Sequence, residues 1–298
     1  MAYDITALPA FQTQGKALVI QAILEAQTIK LLTSAGSFDP TAKGDNTVQL
    51  MAANTVIQDG STCGFNAIGG VALAQAILSI KPLKVNEVYC ERELEKTWAV
   101  GQLQKGQTYD SLSFLTDITA IKTKDISAKV EDMIWKGDVT LTGDTTLSRM
   151  DGYLKKIKAG AYLALSGATS GATGVIAKLQ AGHLAMPIVV RGQEDYRILI
   201  GKDVHDAYVA ELASKNLFNP SADNTLFGTT AKFEVVNGLN GGHAVYTRMQ
   251  NLTAGGEMTD IDFKSWFSED DDNYKIKANF SLGATPIAIN NIGYVKVA

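Results

Sequence analysis

The sequence predicts an α+β protein, and three observations carry that class. Apolar residues recur mostly at three- and four-residue steps between Leu115 and Ile134, the period of a helix with one buried face. From residue 244 onward, segments with the short alternating pattern of β-strands are separated by Gly, Asn and Asp, the residues that form tight turns. Across the chain, 27 glycines stand against 6 prolines, which fits many β connections better than stiff linkers.

Taken in order, residues 1–14 read as an irregular arm. Lys16 to Leu32 lacks Gly and Pro and is crowded with Ile, Leu and Ala, so it is expected to be a helix that ends near Ser34–Gly36. Next, VQLMAANTVI and VALAQAILSI flank the Gly/Ser/Asn-rich QDGSTCGFNAIGG. This is the pattern of a long β-hairpin with its tip near 58–70. The hairpin has almost no large aromatic residues, and an isolated two-stranded ribbon is marginal in water. It must therefore lie against another surface, in this chain or in a neighbour. ERELEKTWAVGQLQKG (91–106) reads as a short amphipathic helix. Leu115, Ile118, Ile121, Ile126, Val130, Met133 and Ile134 form the buried stripe of a long helix, with Lys122, Lys124, Lys129 and Glu131 expected in water.

Further on, VIAKLQAGHLAM and KDVHDAYVAELASKN are helical in period, and YRILIG and KFEVVNGL are strands. AVYTRMQNL, IDFKSWFSE, YKIKANFSLG and the closing ATPIAINNIGYVKVA are also strands. The acidic run EDDDN (269–273) reads as a solvated hairpin tip, since it lacks the alternating ligand spacing of a calcium loop.

Composition narrows the function. A net charge of −4 argues against a surface that clamps nucleic acid all round. No apolar run is long enough to cross a bilayer, and the start lacks the basic head and apolar stretch of a secretory signal. Cys63 and Cys90 form no CxxC pair and are expected to be free thiols of a protein made in a cytoplasm. His183, His205 and His243 lack metal-ligand spacing. The one enzyme-like stretch is ALSGATSGATG (164–174), whose glycines follow a possible strand and precede a helix, as a phosphate-cradling loop does. Its G-x₃-G-x₂-G spacing is neither a dinucleotide fingerprint nor a Walker loop. A small-residue loop is the better reading, and a cytoplasmic nucleotide-binding enzyme is the alternative.

Two stretches carry a family resemblance: STCGFNAIGG followed by ILSIKPLKVNEVYCERELEKTW, and ISAKVEDMIWKGD followed by LSRMDGYLKKI. Together with the C-terminal DIDFKSWFSEDDDNYKIKANFSLGATPIAINNIGYVKV, they resemble the major capsid proteins of tailed bacteriophages, which have the Hong Kong ninety-seven fold. In that family a long spine helix ends in a Trp-x-Gly-Asp turn, here Trp135, Gly137 and Asp138, and a DG-aliphatic phrase follows, here Asp151, Gly152 and Leu154. The chain departs at Phe65 and Ala67, where close relatives carry Trp and Pro.

The resemblance implies an N-terminal arm and helix (1–40), an extended E-loop hairpin (41–84) and a peripheral domain with the spine helix (85–158). It further implies an axial domain (159–245), strands returning to the peripheral domain (246–283) and a final strand in the axial domain (284–298). Ile57, Gln58, Asp59, Cys63, Phe65 and Asn66 at the E-loop tip would touch a neighbouring subunit, and Trp135, Gly137 and Asp138 would form the spine-helix end and hinge. The implied role is structural, with no catalytic residue, cofactor or metal. The chain would self-assemble as hexamers and pentamers into the icosahedral or prolate head shell, built in the host cytoplasm around packaged double-stranded DNA. Portal, scaffolding, and decoration or head-completion proteins are the implied partners, and no membrane is involved. No long charged helical extension precedes the core, so scaffolding is expected from a separate protein. Some members cross-link covalently through a loop lysine; residues 48–80 hold none, so non-covalent stabilisation is expected.

Overall fold

The computed structural model describes residues 17, 19–60, 64, 68–90, 111–143, 146–217, 224–258, 261–271 and 273–297. The expected arm (1–14) and the expected helix at 91–106 lie outside them.

Residues 19–25 are helical, and after a break at Ala26 a second helix runs Gln27–Ser34. The helix expected as one rod is thus two. The second is closed by Gly36, whose φ of +70° is the left-handed conformation that stops helices. Strand β1 (Phe38–Asp39) leads to β2 (Asp45–Asn54) and β3 (Gly70–Ser79), which pair antiparallel along their full lengths. The expected hairpin is present. Strand β4 (Lys81–Tyr89) follows immediately and belongs to a different sheet. The long helix runs Ser111–Lys136, 26 residues and so roughly 39 Å. Its buried stripe is Val130, Met133, Ile134 and Trp135, with Ile126 packed beside it.

Beyond a 3₁₀ turn and a short helix, Tyr153–Ala159, come β5 (Leu163–Ala164) and helices Ser166–Thr169 and Val175–Ala185. Strand β6 (Tyr196–Ile200), helix Lys202–Ser214 and β7 (Lys232–Val235) form a strand–helix–strand crossover between parallel neighbours. The remaining strands are β8 (His243–Arg248), β9 (Leu252–Gly255), β10 (Asp262–Ser268), β11 (Asn273–Pro286) and β12 (Gly293–Lys296).

Two five-stranded sheets organise these parts. In the first, β11 is central: its N-terminal portion pairs with β10 on one side and β4 on the other, and its last four residues pair with β9. Strand β9 in turn lies parallel to β1. The second sheet has the order β5-β12-β8-β6-β7. One core joins the N-terminal helices, the long helix and both sheets, and includes Ile23, Ile29, Trp135, Tyr153, Leu199, Val245 and Leu282. Another packs the 175–185 and 202–214 helices on the second sheet. The architecture is α+β, as its sequence pattern predicts.

Candidate assembly surfaces and the spine-end joint

The β2–β3 ribbon is joined to the rest of the described chain only at its root. There Ala42, Leu78 and Ile80 form a small buried cluster, and Gly255 lets Leu78 and Ala42 approach: a Cβ at Gly255 would lie 3.0 Å from both. Outward from the root the register sorts side chains by face. Thr47–Ile77, Met51–Leu73 and Ala53–Val71 are directly opposed pairs on one face. Its large residues are bare: Met51 is 72% exposed, Leu73 71%, Val71 62% and Ile77 58%. At the tip, Ile57 is 96% exposed, and Gln58 and Asp59 are also exposed. Cys63, Phe65 and Asn66 lie outside the described residues. The apolar stripe is readable in the sequence, because VALAQAI places its large residues at alternate positions, although the Gly-rich tip is the more conspicuous feature there.

At the end of the long helix, Trp135 is fully buried. Its indole N–H donates to Thr28 Oγ1 at 2.6 Å, and the Thr28 hydroxyl donates to Glu131 Oε1 at 2.6 Å. The Thr28 backbone N–H donates to Glu131 Oε2 at 2.9 Å. Tyr153 tilts against Trp135 with ring centroids 5.1 Å apart. Gly238, in the 3₁₀ turn after β7, fits closely against this helix end, since a Cβ there would crowd the Trp135 ring and approach the Glu131 carbonyl to 2.7 Å. Trp135 thus closes the helix end against the N-terminal helix and a loop of the second sheet.

Glu131 is a correction. Its place on the helix suggested solvent, but it is buried and paired across 103 residues. Burial raises its pKa, opposed in part by the hydrogen bonds from Thr28 and the Gly238 backbone. Ile121, placed on the buried stripe by its spacing, is 67% exposed, and at that turn the helix buries Thr123 instead. Lys124 and Lys129 are exposed as expected, whereas Lys122 bridges to Glu87 of β4 at 3.0 Å. A carboxyl whose pKa is raised by folding favours the native state most at pH below the unfolded value. That contribution is lost as pH rises through the folded value. The stability of Glu131→Gln relative to wild type is therefore expected to improve as pH rises from about 4 to about 7. Thermal unfolding of both proteins at the two pH values checks this; a pH-independent difference would contradict it.

Gly137 stands just past the end of the long helix. A left-handed conformation is what a helix-stopping glycine ordinarily supplies, but Gly137 is not among the residues with positive φ. Its role is steric. A Cβ at Gly137 would overlap the Met150 carbonyl oxygen and lie 2.5 Å from that of Met133, and one at Gly152 would lie 2.7 Å from the Ile134 and Trp135 carbonyls. The two glycines let the chain cross itself, with the Gly152 N–H donating to the Gly137 carbonyl at 2.8 Å. Asp138 then ties the following turn. It accepts from Thr140 N–H at 2.9 Å and Thr140 Oγ1 at 2.6 Å and pairs with Lys155 at 2.6 Å. The Lys155 hydrogen bond, then those of Thr140, lower its pKa to about 2.

The glycine-rich segment is built differently from a phosphate cradle. Part of it, Ser166–Thr169, is a helical turn. The start of the 175–185 helix already carries an anion: the Glu211 carboxylate accepts from Ile176 N–H at 3.0 Å, and a Cβ at Gly174 would lie 2.8 Å from the Glu211 carboxyl carbon. Lys215, bonded to the same carboxylate, and these backbone donors lower its pKa. The free N–H groups that a bound phosphate would use are thus taken by a side chain of the same protein. His183 sits half-buried with Nδ1 3.2 Å from Tyr196 Oη. Among the described residues no group of three or more His, Cys, Asp or Glu could hold a metal ion, and no helix is long and apolar enough to cross a membrane.

No protein-family model matches the chain, and no curated protein matches it in sequence. Solved structures do match it. The satellite phage P4 procapsid subunit superposes over 93% of this chain and 97% of its own, with a TM-score of 0.59 at 10% identity. A chain of the Gordonia phage Cozz structure covers 89% and 85%, at 0.60 and 10%. The capsid of an empty GTA particle covers 89% and 88%, at 0.54 and 13%. The chain has a phage-capsid fold. The match is of the whole subunit, since it spans 93% of this chain and 97% of the P4 procapsid chain.

Proposed function

We propose that the protein is the major capsid protein of a tailed phage, a structural subunit that closes into a head shell. The observation that carries this reading is the β2–β3 ribbon, a folded element whose apolar face has no cover within the described chain. A capsid fold gives it a reason, since a neighbouring subunit supplies the missing core. The ribbon and its connections (41–84) serve as the E-loop, and the long helix is the spine of a peripheral domain made from 85–158 and 246–283. The axial domain is 159–245 with the strand from 284–298 added. The arm and first helices (1–40) precede these, and the joint at Trp135–Asp138 is the pivot between spine and axial domain. Tip residues Ile57, Gln58, Asp59, Cys63, Phe65 and Asn66 touch the adjoining subunit.

On this reading the partners are other copies in hexamers and pentamers, the packaged double-stranded DNA, and portal, scaffolding and decoration proteins. Assembly takes place in the host cytoplasm and the product is the virion shell. The work is structural: many weak contacts become firm because a closed shell makes them multivalent. Electron microscopy of the purified protein is expected to show closed particles of uniform size. A monomer or dimer that binds nucleotide saturably would overturn the proposal.

A further inference from the structure

The sheet formed by β10, β11 and β4 has an inner and an outer face. Phe263, Ala278, Val85, Phe280 and Leu83 point inward to the core. The outer face is ordered by register into three rows. Asp262, Asn279 and Lys84 form one, Lys264, Lys277 and Asn86 the next, and Trp266, Lys275 and Val88 the third. Lys264 and Lys277 are therefore directly opposed across strands, a like-charge pairing that destabilises a sheet. Lys84 and Lys275 sit in the adjoining rows. Asp262 lies 3.7 Å from Lys264, and Asp271 from the turn pairs with Lys275. Among the described residues, neither Lys277 nor Lys84 has an ion pair or hydrogen bond. Beside the cations stand two exposed apolar groups, Trp266 at 39% and Val88 at 58%.

A directly opposed cation pair that is only partly compensated within the subunit marks a surface shaped by something outside it. The same ribbon carries its electrostatic counterpart. The β10–β11 turn presents Glu269 and Asp270, both exposed, and among the described residues neither has a hydrogen bond or ion pair. Asp271 beside them is engaged by Lys275 and Ser268. These free carboxylates cannot reach the lysine row of their own subunit. Four residues of extended strand, about 13 Å, separate Lys264 from the end of β10, and the paired strands keep the tip from folding back.

We infer that the outer lysine face of β10–β11–β4 docks the Glu269–Asp270 turn of a second copy of this chain. The inference rests on the shell reading above. The contact is head-to-tail: tip on face, with each subunit offering one of each, so it propagates until symmetry closes it into a ring. Lys264 and Lys277 supply the attraction, Trp266 and Val88 seat the turn beside them, and each docked tip relieves the cross-strand repulsion. Binding of nucleic acid fits this face less well, because Asp262 beside Lys264 and Asp271 on Lys275 interrupt the positive field that a phosphate backbone requires.

The test is a charge swap in the full-length chain. Lys264→Glu with Lys277→Glu keeps a like-charge cross-strand pair but loses the Asp262–Lys264 contact, so circular dichroism and thermal unfolding are used to show that the protomer remains folded. Its yield of closed particles is expected to fall at least about tenfold, as is that of Glu269→Lys with Asp270→Lys. Combining all four substitutions in one chain is expected to restore particles, because the attraction then runs in reverse. Normal particles from either double variant would overturn the inference while leaving the shell reading intact. Failure of the combined variant to recover, with its protomer folded, would equally overturn it. A wild-type protein that forms no particles would instead remove the shell reading on which it rests.

Discussion

Deleting residues 57–70 is expected to leave a soluble, folded protomer that no longer closes into normal shells. The described part of that segment contributes nothing to the interior: Ile57 and Ile68 are 96% and 54% exposed, and none of its residues belongs to a buried cluster. The folded core should therefore lose little. The ribbon, by contrast, shows its neighbour an apolar stripe of Met51, Leu73, Val71 and Ile77, each worth about 1.5–3 kcal/mol when fully buried. Shortening the ribbon removes its reach and its tip contacts at every copy of the interface, and a multivalent shell amplifies that loss. Size-exclusion chromatography with electron microscopy reads the outcome, and Leu73→Asp is expected to act the same way. Intact shells from the deletion would contradict burial of the hairpin by a neighbour.

Gly137→Val is expected to be the most damaging single substitution at the end of the long helix. Its Cβ would meet two backbone carbonyl oxygens, those of Met150 and Met133, and backbone cannot swing aside as a long side chain does. Relief requires pulling the Gly137–Gly152 crossing apart, with its 2.8 Å hydrogen bond. Fully buried Trp135 and Tyr153 are packed on the same crossing. A loss of at least about 3 kcal/mol is expected, seen as a lower unfolding temperature or as insoluble protein. Because the clash begins at Cβ, Gly137→Ala should lie on the same side of wild type. A variant with unchanged stability and normal particles would remove the joint from the account.

The parts legible in the sequence were those whose signal is local. Alternation in VALAQAI and YKIKANF marked strands, three- and four-residue steps marked the long helix, and the residues around Glu269 marked a turn. What escaped depended on distant partners. Glu131 looked like a solvent-facing charge because its periodicity carries no trace of Thr28, 103 residues earlier. Gly137 was visible as a glycine past a helix end, but its steric role depends on where Met150 returns. Strand β4 was hidden in KPLKVNEVY, since a strand that pairs at long range with β11 has no hairpin turn to announce it. At the candidate surfaces, the tip of the ribbon was visible as a Gly-rich interruption. The rows of the lysine face appear only once the register of three strands is known.

Strand β11 has a mechanical consequence. Fourteen residues long, about 46 Å when extended, it begins at the acidic turn and ends beside the root of the β2–β3 ribbon, where a Cβ at Gly283 would crowd Ser79 and Ile80. Two places where the subunit is expected to grip its neighbours thus lie on a single stiff rod. A force applied at one is delivered along the strand, loading its hydrogen bonds to β10 and β4 in shear together and not peeling them one by one. Pressure from within a filled particle would then be shared between adjacent subunits through covalent backbone, with the side chains at either end acting only as couplings.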